Sequence, residues 1–288
     1  MHKMNAMTVD VEDYFQVAAF DGVISRKVWD DQAPRVATST RRILALFKER
    51  GVKATFFTLG WVAERYPSLV REIVNDGHEL ASHGYDHQRA TLMTPETFYN
   101  DVVKAKAILE DVSGVEVIGY RAPSFSIMEC NEWAFSLLRK AGYQYSSSTY
   151  SINHDHYGTP DWPNEPYQLS NGLWEFPQST VDVMGKRLPA GGGGFFRLQP
   201  YFISANLINR FHKQKQHPYI FYFHPWEIDR DQPRISGAPL KSKIRHYINL
   251  AKMFGKIEAL ASEFKWVSMR DAHQDYLICH EVEEDVDA

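Results

Sequence analysis

Strands alternating with helices predict a single α/β domain on a parallel sheet, most simply a barrel, with an open doubly wound sheet as the alternative. Three observations carry this reading. Short β-branched and aromatic runs recur between amphipathic segments from residue 6 onward. No linker, internal repeat or low-complexity stretch beyond one glycine run divides the 288 residues. The conspicuous polar residues fall at the C-terminal ends of predicted strands, which in a parallel barrel open onto one face.

Residues 6–11 read as the first strand, ending in the acids Asp10, Glu12 and Asp13. Asp10 and Glu12 share a face if the strand persists, and Asp13 then points the other way; a bend after Val11 reverses that choice. Residues 39–50 carry a helical stripe (Ile43, Leu44, Leu46, Phe47) and stop at Gly51. Residues 54–59 are a buried strand. Residues 66–76 form a helix with Pro67 in its first turn and Gly77 beyond its end. Strand 79–82 delivers His83. Thr94-Pro95-Glu96 opens a helix over 94–112, and strand 117–120 delivers Arg121. Residues 131–141 are helical and 143–147 return as a fifth strand.

Beyond it the alternation weakens. Residues 151–167 read as a long loop and 174–177 as a short strand. Residues 191–194 are four glycines without the Lys-Ser/Thr of a phosphate loop, expected as a mobile or tightly turned surface loop. Residues 200–213 are helical, and 219–223 (Tyr-Ile-Phe-Tyr-Phe) are the clearest strand, delivering His224. A helical pattern covers 240–264, a closing strand 266–268, and an acidic tail follows His280.

A hydrophobic content of 44% supports a large core, and a net charge of −4 gives no footprint for nucleic acid. Cys130 and Cys279 imply no disulfide framework. The first residues lack a secretory apolar stretch, and no run approaches the roughly 18 apolar residues of a membrane span, so a cytoplasmic protein is expected. The aromatic content of 14% suits either sugar-binding faces or a large aromatic core.

His83 and His87 stand four apart, and a helical turn there puts both imidazoles on one side, where they can share a metal. Among twelve histidines such a pair is weak evidence alone. Its weight comes from an N-terminal carboxylate, Arg121 and His224 at other strand ends. A carboxylate plus two histidines suits a divalent metal with open positions, zinc being the commonest hydrolytic choice and Co2+, Mn2+ or Ni2+ the others. Such a metal polarises a carbonyl and lowers the pKa of water to about 7. Amide hydrolysis also needs a base and an acid. Asp10 is the base candidate, His224 the acid candidate, and Arg121 the group that orients Asp10, since a guanidinium gives up no proton at neutral pH.

Four motifs, Thr8-Val9-Asp10-Val11-Glu12-Asp13, Ser82-His83-x3-His87, Arg121-Ala122-Pro123 and Phe223-His224-Pro225, occur in the order of the polysaccharide deacetylase (NodB-type, carbohydrate esterase family 4-like) family, which the chain resembles over about residues 6–230. Asp-Val-Glu-Asp-Tyr-Phe-Gln-Val, Gly-Tyr-Arg-Ala-Pro-Ser-Phe-Ser and Phe-Tyr-Phe-His-Pro-Trp-Glu-Ile-Asp resemble the deacetylases of exopolysaccharide gene clusters associated with exosortase systems. The resemblance implies a distorted (β/α)7 barrel over one domain, 1–288, with an extension at 240–280 and a tail at 281–288. It implies metal-dependent removal of acetyl groups from an amino-sugar polysaccharide or its lipid-linked or oligosaccharide precursor. It makes Glu12, His83 and His87 the metal ligands, with Glu12 in place of the usual Asp; Glu12/Asp13 is the other base–ligand pair.

It also implies an oxyanion donor in the backbone N–H at Ser124, beside Phe125. The family's Asp after the fifth strand is replaced by Ser146, so support for His224 is expected from Asp155 or Asp182, or not at all. Unsupported, His224 would keep a pKa near the reference of about 6.5. Trp162, Trp174 and Trp226 are candidate groove walls. Two other readings compete: a hydrolase of small amides, and a carbohydrate-binding pseudoenzyme, which the Ser146 departure favours.

Overall fold

Strand β1 (Asn5–Val11) is buried along its whole length and is the axis of the sheet. The computed structural model describes residues 4–153 and 158–278. Outward from β1 on one side run β2 (Thr55–Thr58), β3 (Glu79–Ser82), β4 (Gly119–Tyr120) and β5 (Tyr145–Ser146). A short strand β6 (Tyr167–Gln168) precedes β7 (Trp174–Glu175), and a separate hairpin, β8 (Thr180–Val183) with β9 (Lys186–Pro189), follows. Strand β10 (Tyr219–Phe223) pairs with the other edge of β1, and β11 (Trp266–Val267) pairs with its first residues. The order β10-β1-β2-β3-β4-β5-β7 is parallel throughout, with β6 antiparallel on β7. This is a mixed α/β fold whose parallel sheet curls into a half-barrel, consistent with a distorted (β/α)7 barrel. Between β7 and β10 single bonds replace a ladder: the Ile220 N–H donates to Ser179 Oγ at 2.8 Å, and the Tyr219 hydroxyl to the Ala190 carbonyl at 2.7 Å.

Helices α1 (Val36–Arg50), α2 (Gly60–Arg65), α3 (Pro67–Asn75), α4 (Pro95–Ser113) and α5 (Trp133–Lys140) connect the early strands, and α6 (Gly193–Leu198) and α7 (Tyr201–Gln214) precede β10. Helix α4 shows how locally these are written. Thr94 accepts from the Thr97 N–H, Pro95 opens the first turn, and Gly114 ends it in left-handed backbone (φ 71). After β10 come α8 (Leu240–Tyr247), α9 (Leu250–Glu263), α10 (Met269–Ala272) and α11 (Gln274–Ile278). Among the described residues no helix is long and apolar enough to cross a membrane.

The two-residue period of the strands sorts their side chains. Met7, Val9 and Val11 pack outward with Ile43, Phe47 and Ile257. Ala6 joins Phe57, Ala81, Ile118 and Ile220 inside the barrel. Counting by two from Ala6, Ala81 and Ile220 puts Asp10, His83 and His224 on that inner side, at the strand ends.

Two sequence expectations fail here. The helical pattern at 240–264 is broken at Asn249, which sits in left-handed backbone (φ 55). The break is held by Arg197, whose Nη1 donates to the carbonyls of His246 and Ile248, each at 2.9 Å. The glycine run is not a surface loop either: Gly191, Gly192 and Gly193 are buried beneath β10. A Cβ on Gly191 would meet the Ile220 carbonyl at 2.7 Å, and one on Gly193 would overlap the Glu227 carboxylate.

Candidate active site

Register brings the chemistry together. Val9 pairs with Phe223, so the next residues, Asp10 and His224, are neighbours. Ser82 pairs with Tyr120 and Tyr120 with Ser146, so His83, Arg121 and Ser147 lie side by side. Arg121 is fully buried and its fork is spent on this level: Nη1 donates to Asp10 Oδ1 and to Thr8 Oγ1, both at 2.7 Å, and Nε to the Ser147 carbonyl at 3.2 Å. The guanidinium also lies 4.0 Å from the Phe57 ring centroid. Asp10 is thereby fixed by one oxygen, while Oδ2 lies 3.9 Å from His224 Nε2.

Glu12, His83 and His87 form the one group of ligand-type side chains among the described residues able to hold a metal, their ligand atoms within 4.8 Å of one another. The donor set fits a cation on two counts. His83 Nδ1 lies 2.8 Å from the Arg121 carbonyl, which can only accept, so the proton sits on Nδ1 and Nε2 keeps its lone pair. Burial pushes the His83 imidazolium down to about 4, which leaves the ring neutral at pH 7. Secondly, Glu12 Oε2 and His87 Nε2 approach to 2.7 Å without hydrogen-bond geometry, and no other donor among the described residues reaches that buried oxygen. The other oxygen, Oε1, accepts from Trp226 Nε1 at 3.1 Å. Burial would raise the Glu12 carboxyl, but His87, His224 and His83 outweigh it and hold it well below the usual carboxylate range.

Asp13 faces elsewhere. Its carboxylate accepts from the backbone N–H groups of Tyr14 (2.8 Å), Arg35 (2.7 Å) and Val36 (2.9 Å), which pins the start of α1. That geometry removes Glu12/Asp13 as a pair facing the cluster, and explains why α1 begins at Val36, three residues before the expected start at 39. Asp13→Ala, which frees three backbone donors, two of them buried, is expected to cost about 1–3 kcal/mol in urea unfolding without altering metal content; unchanged stability would leave the cap without consequence.

His224 has a partner that sequence reasoning missed. Its Nδ1 lies 3.1 Å from Glu227 Oε2, and Glu227 Oε1 accepts from Arg197 Nε at 2.7 Å. Asp182 does not take this role: it lies on the β8–β9 hairpin, its backbone bound to Gln214 and Arg210. Asp155 lies outside the described residues. Ser146 is buried and donates to Ser148 Oγ at 2.8 Å. The signal for Glu227 was His-Pro-Trp-Glu itself, because Pro225 starts a 3-10 turn that returns the fourth residue to the first. Burial alone would lower the His224 imidazolium, but Glu12, Glu227 and Asp10 overcome it and raise the pKa to about 9, not the 6.5 of an unsupported ring.

These groups floor a cleft of ≈ 340 Å³, walled by Ser124, Phe125, Tyr222 and Trp226. Ser124 and Phe125 both adopt left-handed backbone (φ 55 and 49). Trp226 stacks between His224 and His246, its ring centroid 4.1 Å from the latter. The other two tryptophans are not in the cleft. Trp162 packs on Phe135, and Trp174 lies with Phe176 and Tyr276; each adds to core packing.

Residues 28–146 match the family model described as polysaccharide deacetylase, and residues 147–274 a domain of unknown function, DUF3473. The polysaccharide deacetylase match covers less than half of the chain. Two curated sequence relatives carry names of the same kind. A Bacillus cereus peptidoglycan-N-acetylglucosamine deacetylase is 35% identical over 96 residues, covering 33% of this chain and 35% of its own. A Helicobacter pylori peptidoglycan deacetylase is 30% identical over 148 residues, 47% of this chain and 46% of its own. The chain thus spans less than half the length of these curated relatives. In fold it is similar to a provisionally assigned polysaccharide deacetylase from Mycobacterium smegmatis, with TM-score 0.61 and 20% identity over 98% of this chain and 92% of the other. It is also similar to a family 4 pseudoenzyme from Bacillus anthracis, with TM-score 0.50 and 14% identity over 94% of this chain and 65% of the other. At such identities the likeness concerns fold alone. The polysaccharide deacetylase match holds His83, His87 and Arg121, whereas Arg197, His224 and Glu227 fall in the DUF3473 match. The site therefore needs both segments and the strand before them.

Proposed function

We propose that this chain is a metal-dependent hydrolase that removes acetyl groups, N-acetyl above O-acetyl, from an amino-sugar polysaccharide of the exopolysaccharide kind or from its lipid-linked or oligosaccharide precursor. The observation that carries the reading is the buried Glu12–His83–His87 cluster with Asp10 and His224 beside it at the barrel mouth. A zinc or similar divalent ion held by those three residues would polarise the acetyl carbonyl and make water more acidic. Asp10, oriented by Arg121, takes the proton from the attacking water. Ser124 offers its backbone N–H to the carbonyl oxygen as charge grows there. His224 donates from Nε2 to the departing sugar amine, its Nδ1 being engaged by Glu227.

The pseudoenzyme reading drew its support from the missing acid at Ser146, and Glu227 supplies a carboxylate in its place. The deciding experiment is acetate release from an acetylated glucosamine oligomer, with and without chelator. Release that chelation abolishes and zinc restores supports the proposal; none from any acetylated sugar in a panel rejects it. Asp10→Asn is expected to lower kcat by on the order of 10²-fold or more at unchanged metal content. An emptied metal site in that variant, with metal retained in Glu12→Gln, would exchange their roles.

A further inference from the structure

A second feature borders the mouth of the cleft. From Gln232 to Ile257 the chain carries Arg234, Lys241, Lys243, Arg245, Lys252 and Lys256 and no Asp or Glu, in a protein of net charge −4. Helix α8 lies inside this stretch, and its faces are sorted against the usual rule. The side turned inward carries His246, which stacks on Trp226 and bonds Gln232 Oε1 at 2.6 Å. The side turned outward carries Leu240, 73% exposed, and Ile244, 54% exposed, one turn apart. Lys241 and Arg245 are exposed on the same side. A helix serving only the core turns its Leu and Ile inward.

The apolar surface extends beyond α8. Arg197 Nη2 donates to the Arg245 carbonyl at 3.1 Å and ties the end of α6 to α8. Leu198, 55% exposed, lines with Arg245 a trough of ≈ 360 Å³. That trough shares Arg197, Tyr222 and Trp226 with the catalytic cleft, and Ser242 and Arg245 of α8 line the cleft itself.

We propose that α8 docks this protein on an anionic lipid surface. Leu240 and Ile244 enter the headgroup layer while Lys241, Lys243 and Arg245 meet its negative charges. Charge and apolarity together select this occupant. A soluble acidic glycan would use the cations and leave Leu240 and Ile244 in water, whereas a bilayer surface takes both. Docking by α8 turns the cleft mouth toward the lipid. The consequence, that the acetylated glycan is presented on a lipid there, rests on the deacetylase reading; the docking does not.

The test is cosedimentation of the full chain with vesicles of phosphatidylcholine and phosphatidylglycerol in equal parts, against phosphatidylcholine alone. Binding to the anionic vesicles only, weakened by salt, is expected. Leu240→Ser, Lys241→Gln and Ile244→Ser together should lower the partition coefficient by on the order of 10-fold or more. The same variant should keep its kcat/KM on a soluble acetylated oligosaccharide, and Lys241→Arg with Ile244→Leu should keep vesicle binding. No binding by the wild-type chain, or undiminished binding by the triple variant, overturns the proposal. So does binding to a polyuronate with none to vesicles, which would make the partner an acidic glycan. Because sedimentation needs no turnover, an inactive chain that binds vesicles counts against the deacetylase reading alone, and an active chain that ignores them against docking alone.

Discussion

His83→Ala is expected to empty the metal centre and bring acetate release down to background. The three proposed protein ligands leave no redundancy, and the His83 tautomer is fixed in advance. Its Nδ1 is committed to the Arg121 carbonyl, burial keeps the ring neutral, and Nε2 is therefore ready to bind without first losing a proton. Elemental analysis should show loss of stoichiometric metal, and a thermal melt gives an independent readout. A cation present at about 100 times its Kd stabilises the fold by about 2.7 kcal/mol, so chelator should lower Tm in the wild-type chain and leave His83→Ala unmoved. The substitution also removes a bond to Arg121, so far-UV circular dichroism must first show an intact fold. Full metal occupancy in a folded His83→Ala protein would reject the ligand set.

What the sequence made legible was whatever depends on period and punctuation. The convergence of Asp10, His83, Arg121 and His224 follows from their places at the C-terminal ends of strands, and the helix ends follow from Pro67, Pro95, Gly51 and Gly114. What stayed hidden depends on contacts between distant segments. The break at Asn249 is made by Arg197, some fifty residues earlier, which no local pattern announces. The glycines at 191–193 look like a free loop until β10 and Glu227 are laid over them, and only then does their missing Cβ become the point. Trp162 and Trp174 are candidate groove walls only by their places beside the long loop and the short strand, and neighbourhood in sequence says nothing about which side of a barrel a side chain serves. Trp226 is at the cleft for a further reason: its indole N–H holds one oxygen of Glu12 and leaves the other for a cation. The two- to four-residue inner strands are too short for periodicity to bound, so their predicted limits ran one to three residues wide.

His224→Ala should lower kcat by about 10²- to 10⁴-fold while metal content stays full, since in the proposed reaction the residue donates a proton and sits outside the proposed ligand set. The role of Glu227 is separable from that of His224 by pH. The donating species is the imidazolium, which exists below the His224 pKa and is lost as pH rises through it. In the metal-free protein three carboxylates raise that pKa to about 9. A cation on Glu12 offsets one of them, so the alkaline limb of kcat/KM in the loaded enzyme is expected between about 6.5 and that value. Glu227→Gln keeps an acceptor for Nδ1 and removes the charge, so the imidazolium loses support and the limb should move to lower pH by about one unit or more. The same change strands the buried Arg197, which retains only carbonyl partners on α8 and at Ile248. Stability should therefore fall as well, by up to about 3–5 kcal/mol. Histidine NMR on the folded, metal-loaded variant reads the shift without turnover, and the kinetic limb must follow it. A limb that stays in place when Glu227 loses its charge, or that persists in His224→Ala, would assign the titration to another group and leave His224 without its role as the acid.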